Sequence, residues 1–589
     1  MTRADANLAG ERASPLSFRG FARVFDFAER ERNPALLVVS AAIVGLAYVL
    51  VTFDVGFLLG TGSFWNNPRG PWLLEPTDTT PNVDALGYLV GYRAFLNAPW
   101  RMPIFLAPDL GPPPGTSIIF VDAMPIASLI GKIFSELTGS MAPPFGVFTG
   151  VCFVLSAVMA TFVMIELGQR SLLAAVGASL FALSLPALLH RFGHFPLYPQ
   201  FLIIGGLWLY LLDLRPSRWW AVGLRWGGWL GLALLTNIYL TAMVGAFYAA
   251  SLARRILTRG ASRRPALFEA ALVVLLVVAV MAIAGHFARG GASGVPFGFG
   301  FGHFSMNLVS PIWPQRSGLF PPLWPILDAT GGQYEGFNYL GFGALLMIVL
   351  AIIAEPKALL ESVLAHRWLV LVLAALTLFA ISNIVSAGDW LLFKIPIGEV
   401  LYKLAGIFRS SGRMFWPVAY VAILLSLVVV LRFAPPVWRT LLVTALCVLQ
   451  LIDTEPLRSR TLTLSRLDTP PYLNRDEWVA RARKTSSVYL FPTYLCLDDS
   501  DPQAVTPALN LELQYAAMIA GRPVNSVYNP RLATDCAKEA RQAREGPWRE
   551  DALYVFMHEG KADNDNFAPP TLSCTAFAYG TWCMGPRRP

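Results

Sequence analysis

The chain has 589 residues, 55% of them hydrophobic and only 14% charged, with a mean hydropathy of +0.52. Soluble proteins carry nearer a quarter charged residues, so the composition excludes disorder, argues against an ordinary cytosolic enzyme and points to several membrane spans. The net charge of +8, from 46 Lys and Arg against 38 Asp and Glu, would suggest nucleic acid in a soluble protein. Here no nucleic-acid partner is expected, because cytoplasmic loops of membrane proteins collect Lys and Arg.

The N-terminal segment 1–34 contains SFRGFARVFDFAERE, where Phe and Val alternate with charges as in an interfacial amphipathic helix. Apolar runs then predict about eleven spans: 35–54, 144–167, 171–189, 199–214, 219–235, 238–253, 266–288, 339–354, 367–385, 413–432 and 437–452. The 219–253 stretch breaks at Thr236-Asn237. The expected fold class is an α-helical polytopic membrane protein (35–452) with a small α/β C-terminal domain (453–589). The loop 254–264 carries five arginines and no acid, so it marks the cytoplasmic side and places the N-terminus there too. An odd span count then puts the tail outside, in the periplasm of a bacterial inner-membrane protein. The tail has 16 basic and 17 acidic residues, so the positive surplus belongs to the membrane part.

Cys152 and Cys447 lie in apolar runs and read as inert core residues. Cys496, Cys536, Cys574 and Cys583 all fall in the tail, and two disulfides are expected there with the pairing open.

Three outer loops are expected at 55–143, 289–338 and 386–412; loops of such size usually carry function. In the first, Asp84 (TTPNVDALGYLVGYRAF, with Tyr88 four residues on) and Asp122 (GTSIIFVDAMPIASLIGKIF) are acids in apolar sequence. Such acids are costly unless paired or functional. One could serve as general base on an acceptor hydroxyl while the other orients it; the bland reading is helix capping for Asp84 and a turn for Asp122. His190, Arg191 and His194 (LLHRFGHFPLYPQF) sit in a tight outer turn, and Arg409 and Arg413 (FRSSGRMFWP) at the mouth of another span. An arginine there is out of place unless it meets an anion, lipid headgroups being the alternative. Glu335, with Tyr339 nearby in GGQYEGFNYLG, could bond a sugar or pair with an arginine. The Gly-rich run 290–302 lacks the residues of a phosphate loop, and Asp498, Asp499 and Asp501 lack the rest of a calcium motif.

VDALGYLVGYRAF, GTSIIFVDAMPIASLIGK, HRFGHFPL, QYEGFNYLGFG and FRSSGRMFWP resemble blocks of a bacterial branch of the C-type (GT-C) membrane glycosyltransferases. The resemblance covers most of 35–452. It implies a transferase moving sugar from a polyprenyl-phosphate donor to a glycan, lipid or protein acceptor on the periplasmic side, with the bilayer as its medium. The catalytic acid maps onto Asp84 with Asp122 as the second, and phosphate binding onto Arg191, Arg409 or Arg413. Many members carry the acid soon after the first span, which makes Asp54 a rival. Metal dependence varies among them, so a divalent cation (Mg or Mn) stays open and no ligands follow. A flippase of lipid-linked saccharides and a non-catalytic scaffold of envelope polysaccharide assembly are the alternatives; the near absence of acids inside the spans argues against translocation.

Overall fold

The computed structural model describes residues 28–71, 81–215, 217–258, 263–288, 300–320, 325–497, 506–529, 532, 534–557, 569 and 571–586. Most of the N-terminal amphipathic stretch, most of the Gly-rich run and the Asp498–Asp501 cluster lie outside these residues.

All eleven apolar runs fall on helices, but not all of these are long enough to cross a membrane by themselves. Among the described residues, seven helices are long and apolar enough to cross a membrane: Pro34–Thr52, Phe145–Glu166, Phe195–Leu212, Ile238–Leu257, Arg263–Ala284, Ser411–Phe433 and Pro436–Asp453. Phe342–Ala354 and Pro356–Ala365 form an eighth only if the pair, bent by 97°, is counted as one. The remaining runs give shorter helices, Leu172–Leu183, Trp219–Leu234 and Arg367–Ile381. At about 1.5 Å per residue they fall short of a hydrocarbon core roughly 30 Å thick. The run 171–189 is broken before Pro186, whose ring disfavours helix in the preceding residue. The break at Asn237 occurs as predicted, and the Asn237 side chain accepts a bond from Tyr239 N at 2.9 Å. The chain is a polytopic, mainly helical membrane protein.

The first helix starts at Asn33, whose side chain caps Ala35 N (2.9 Å), followed by Pro34 in the first turn. At one end of the bundle, near this start, Arg170 bonds back to Arg32 N through its carbonyl, and Arg439 pairs with Glu29. There Arg255 meets Glu269 (2.6 Å) and Arg254 donates to Asp213 O (2.7 Å). The opposite end carries the long loops and the tail.

The tail holds a four-stranded sheet in the order Ser487–Phe491, Ala552–Met557, Gly580–Pro586, Leu572–Phe577, its first pair parallel and the others antiparallel. Helices Arg475–Arg483, Thr506–Ile519 and Cys536–Glu545 complete it. The disulfides are Cys496–Cys536 and Cys574–Cys583, and Cys152 and Cys447 are buried free thiols. Preceding the sheet, helix Glu455–Ser465 belongs with the bundle: Arg458 donates to Val51 O and Thr461 to Leu189 O.

The tail is not a separate bead. Val83, Leu86 and Val90 of the first loop share one hydrophobic core with Leu509, Leu513 and Val524 of the tail. Backbone bonds Val524 N to Asp109 O and Gly111 N to Val524 O, both 2.9 Å, stitch the two together. Asn97 Nδ2 donates to Met518 O at 2.6 Å. The first loop is thus a platform on which the tail is mounted.

Candidate active site

Asp84 opens the helix Asp84–Asn97, yet it does not cap it: Val83 holds the cap position without a side-chain bond. The carboxylate instead points into the junction of bundle, loop and tail. Its Oδ2 accepts from His194 Nε2 at 2.8 Å and its Oδ1 from the Tyr528 hydroxyl at 2.5 Å. An ionised carboxylate only accepts, so Nε2 carries the proton. Burial alone would raise the Asp84 carboxyl; the bonds and charge of His194 together with the Tyr528 bond outweigh it and hold the group below its usual value. For Tyr528, burial and the Asp84 charge push the phenol well above its ordinary value, so it stays a donor.

The motif around Asp84 explains how three segments converge. Gly87 and Gly91 lie one turn apart on one helix face. A Cβ on Gly87 would meet the Tyr528 ring at 2.7 Å, and one on Gly91 would meet Val121 Cγ2 at 2.6 Å. The two missing side chains admit the tail's tyrosine and the turn that carries Asp122.

Asp122 ends the short helix Ile118–Val121 in a left-handed conformation, φ 51°, and Met124 follows at φ 43°. Non-glycine residues rarely sit there, and two in one turn store strain of about 1–3 kcal/mol each. Strain of this kind gathers at functional sites, and Asp122 is exposed where Asp84 is buried. Tyr88, buried, lies within electrostatic reach of both: burial and then the charges of Asp84 and Asp122 drive its phenol well above the ordinary value.

Behind this pair stands a buried ionic cluster. Glu335 receives Arg413 in a bidentate fork, Nε to Oε2 at 2.9 Å and Nη2 to Oε1 at 2.6 Å. Arg191 Nη1 donates to the same Oε2 at 2.6 Å. His194 Nε2 lies 3.9 Å from Glu335 Oε1, which links the cluster to Asp84. Burial opposes the Glu335 charge, but the two guanidiniums and His194 hold its carboxyl well below the usual range. Burial lowers the Arg191 value, while Glu335 works against that. The guanidinium faces stack on aromatics, Arg413 over Tyr239 at 4.9 Å and Arg191 over Trp416 at 5.5 Å.

Of the sequence candidates, the structure gathers Asp84, Tyr88, Asp122, Arg191, His194, Glu335 and Arg413 into one neighbourhood. The anion that Arg191 and Arg413 meet is therefore Glu335 of the same chain. Arg409 is different: it is exposed and lies 5.9 Å from the Phe304 ring, a short loop away from Arg413. His190 packs at 4.9 Å from the Phe337 ring, and burial, with Arg191 and Arg460 adding to it, lowers its basicity well below the histidine norm. Tyr339 is not part of the site. Its hydroxyl bonds Asp453 Oδ2 at 2.9 Å, a carboxylate that also caps Phe342 N at 2.7 Å. The rival Asp54 caps Gly56 N (2.8 Å) and pairs with Arg466 (3.3 Å). Sequence reasoning missed Tyr528, because nothing in NSVYNP marks a tyrosine that pairs with a residue in the first loop. Among the described residues no group of three or more His, Cys, Asp or Glu is arranged to hold a metal ion.

A search of curated proteins gives no match. Among solved structures, the crystal structure of ArnT from Cupriavidus metallidurans in the apo state is similar over 94% of this chain and 99% of that one, at 12% identity and a TM-score of 0.40. Residues 477–582 match the model described as the DUF6311 C-terminal domain. Residues 42–455 match the model described as a domain of unknown function (DUF6311), well over half of the chain, and the protein belongs to that family.

Proposed function

We propose that the protein is a membrane glycosyltransferase that moves a sugar from a polyprenyl-phosphate donor to an envelope glycan, lipid or protein acceptor on the periplasmic side of a bacterial inner membrane. The GT-C-like sequence blocks are the starting point. The observation that carries the reading is a buried carboxylate, Asp84, fixed from two sides, in the same loop as the exposed, strained carboxylate Asp122, with Tyr88 within electrostatic reach of both. Two acids at the end of a membrane bundle suit the activation of a hydroxyl beside a lipid-borne substrate.

The roles follow from chemistry. Asp84 has both oxygens engaged and a lowered pKa, which weakens it as a base. Asp122 faces outward and takes the acceptor proton, while Asp84 and His194 fix the acceptor and the charge around it. The acceptor oxygen attacks the anomeric carbon and the lipid phosphate leaves as a stable anion, with inversion. That leaving group needs positive charge more than a proton. Arg409 is the arginine exposed to meet it; Arg191 and Arg413 supply the field from behind, with Glu335 balancing them.

Sidedness is supported by two features at opposite ends of the bundle. Arginines gather near Arg32, Arg170, Arg255 and Arg439, which suits a cytoplasmic face. The two disulfides lie in the tail at the other end, which suits an oxidising compartment. The experiment is donor turnover in proteoliposomes with Asp122→Asn. General-base loss is expected to cost about 10²–10⁴-fold, and unchanged turnover removes Asp122 from the role of base.

A further inference from the structure

Between the apolar helix Arg367–Ile381 and the span Ser411–Phe433 the chain builds a small unit whose composition is unusual for a surface. Ile384–Ala387 and Trp390–Lys394 form an antiparallel hairpin, and helix Glu399–Ala405 follows. All five residues of Trp390–Lys394 are exposed, and the helix has no buried residue. Trp390 is 77% exposed and Val400 72%, with Leu391, Leu392, Phe393 and Leu401 all exposed as well. Soluble surfaces avoid apolar patches of this size.

The unit is nonetheless held firmly at its base. Asn307 brackets Gly388 with two bonds, Nδ2 to O at 2.7 Å and N to Oδ1 at 3.0 Å. Gln333 Nε2 donates to Ser386 Oγ at 2.6 Å. Gln333 is two residues before Glu335, so the ledge is fixed to the segment that carries the ionic cluster.

We infer that residues 384–405 form a ledge that inserts into the lipid leaflet beside the candidate site. Three observations select lipid over a protein partner. A strand that docks on protein buries one face and alternates, whereas Trp390–Phe393 is apolar and exposed on both faces. The preceding apolar helix likewise exposes Leu371 and Leu378, as a lipid-facing helix would. Charges flank the apolar core at Asp389, Lys394, Glu399 and Lys403, with Lys403 paired to Glu399, as at a membrane interface. Depth follows from the backbone. Among the described residues the sheet has only two strands, which leaves it an edge whose peptide groups the hydrocarbon core does not tolerate, so the ledge rests at the headgroup–acyl boundary, about 5–10 Å deep. Arg409, four residues past the helix, then lies at the level of headgroup phosphates. This last step rests on the transferase reading; the insertion does not.

Nitroxide labels in place of Trp390, Leu401 and Arg409 (Trp390→Cys, Leu401→Cys, Arg409→Cys), in nanodiscs of zwitterionic phosphatidylcholine, test it without substrate or turnover. Labels at 390 and 401 are expected to collide with oxygen more than with a nickel chelate, at a depth of about 5–10 Å. The label at 409 is expected to be shallower than both yet shielded relative to a control at the exposed tail residue Ser573 (Ser573→Cys). Nickel accessibility at 390 and 401 equal to that at 573 overturns the insertion; equality at 409 alone overturns the phosphate-level placement. If a cysteine variant fails to fold, brominated lipid in the nanodisc tests the insertion independently. Wild-type fluorescence should be quenched more than that of Trp390→Phe, and equal quenching overturns the proposal. Since no turnover is measured, failure here is distinct from failure of the transferase reading.

Discussion

Tyr528 donates its hydroxyl to Asp84 Oδ1 at 2.5 Å across 444 residues of sequence. The bond joins the tail to the first loop at the carboxylate that His194 holds from the other side. The tail is thereby built into the candidate site and does not merely cap it. Tyr528→Phe keeps the ring that packs on Gly87 and on Tyr494 (4.8 Å) but removes the donor. A lost hydrogen bond to a charged group costs about 1.5–3 kcal/mol, so turnover should fall by about tenfold or more, with the protein still folded. The Asp84 carboxyl should also move up, visible as a shift of the acidic limb of the rate–pH profile. A fall in rate with no shift of that limb would mean that the hydroxyl does not act through the Asp84 carboxyl.

The Arg191–Glu335–Arg413 triad leads to a stability prediction. Glu335→Gln leaves two buried guanidiniums facing a neutral amide. Breaking such a buried ionic group costs about 3–5 kcal/mol, to be read as a lower apparent Tm in detergent. Arg409→Gln touches no buried pair, so its Tm should stay near wild type while the KM for the lipid donor rises.

Acid should act through the same carboxylates. Asp84 and Glu335 are both held below their ordinary values. A group of this kind stabilises the folded state above its unfolded pKa, roughly 4, and the contribution is lost as pH falls through the folded value. Tm should therefore vary little between neutral pH and about 6, then drop below about 4. Glu335→Gln should flatten that drop; an equal drop in the variant would assign the acid sensitivity elsewhere.

The two disulfides should differ in effect. Cys496–Cys536 ties the segment after Tyr494 to the helix just past Tyr528, whereas Cys574–Cys583 joins two strands already paired in the sheet. Loss of the first (Cys496→Ser with Cys536→Ser) should lower turnover several-fold by loosening Tyr528. Loss of the second should leave turnover nearly unchanged.

Much of this arrangement is legible in the sequence where the signal is local. Apolar runs mark the long helices of the bundle, because a lipid-facing helix must be apolar along its length, but not the polar helix Glu455–Ser465 that packs with them. The runs do not show how long each helix is, since an apolar run such as 171–189 looks the same whether or not Pro186 breaks it. The arginines at 191 and 413 stand out as cations needing an anion, and the anion is Glu335, a residue conspicuous on its own. Their pairing depends on three segments folding together, which no local pattern records. Tyr339 falls outside the site for the same reason: its nearness in sequence to Glu335 says nothing of Asp453, the partner its hydroxyl finds. The tail's cysteines are recognisable as two disulfides, but the tyrosine between them is not recognisable as a partner of Asp84.

The decisive measurement is the release of radiolabelled sugar from membrane-embedded polyprenyl-phosphate hexoses and pentoses in proteoliposomes, with a bacterial envelope fraction as acceptor. Wild type should move label from at least one donor. Asp122→Asn and Asp84→Asn should each lose about 100-fold or more, with Asp122→Asn, whose carboxylate is exposed, keeping the wild-type Tm within a few degrees. Full turnover in both variants, or no label leaving any donor with wild-type protein, would contradict the transferase account and leave the site to a carrier or a scaffold.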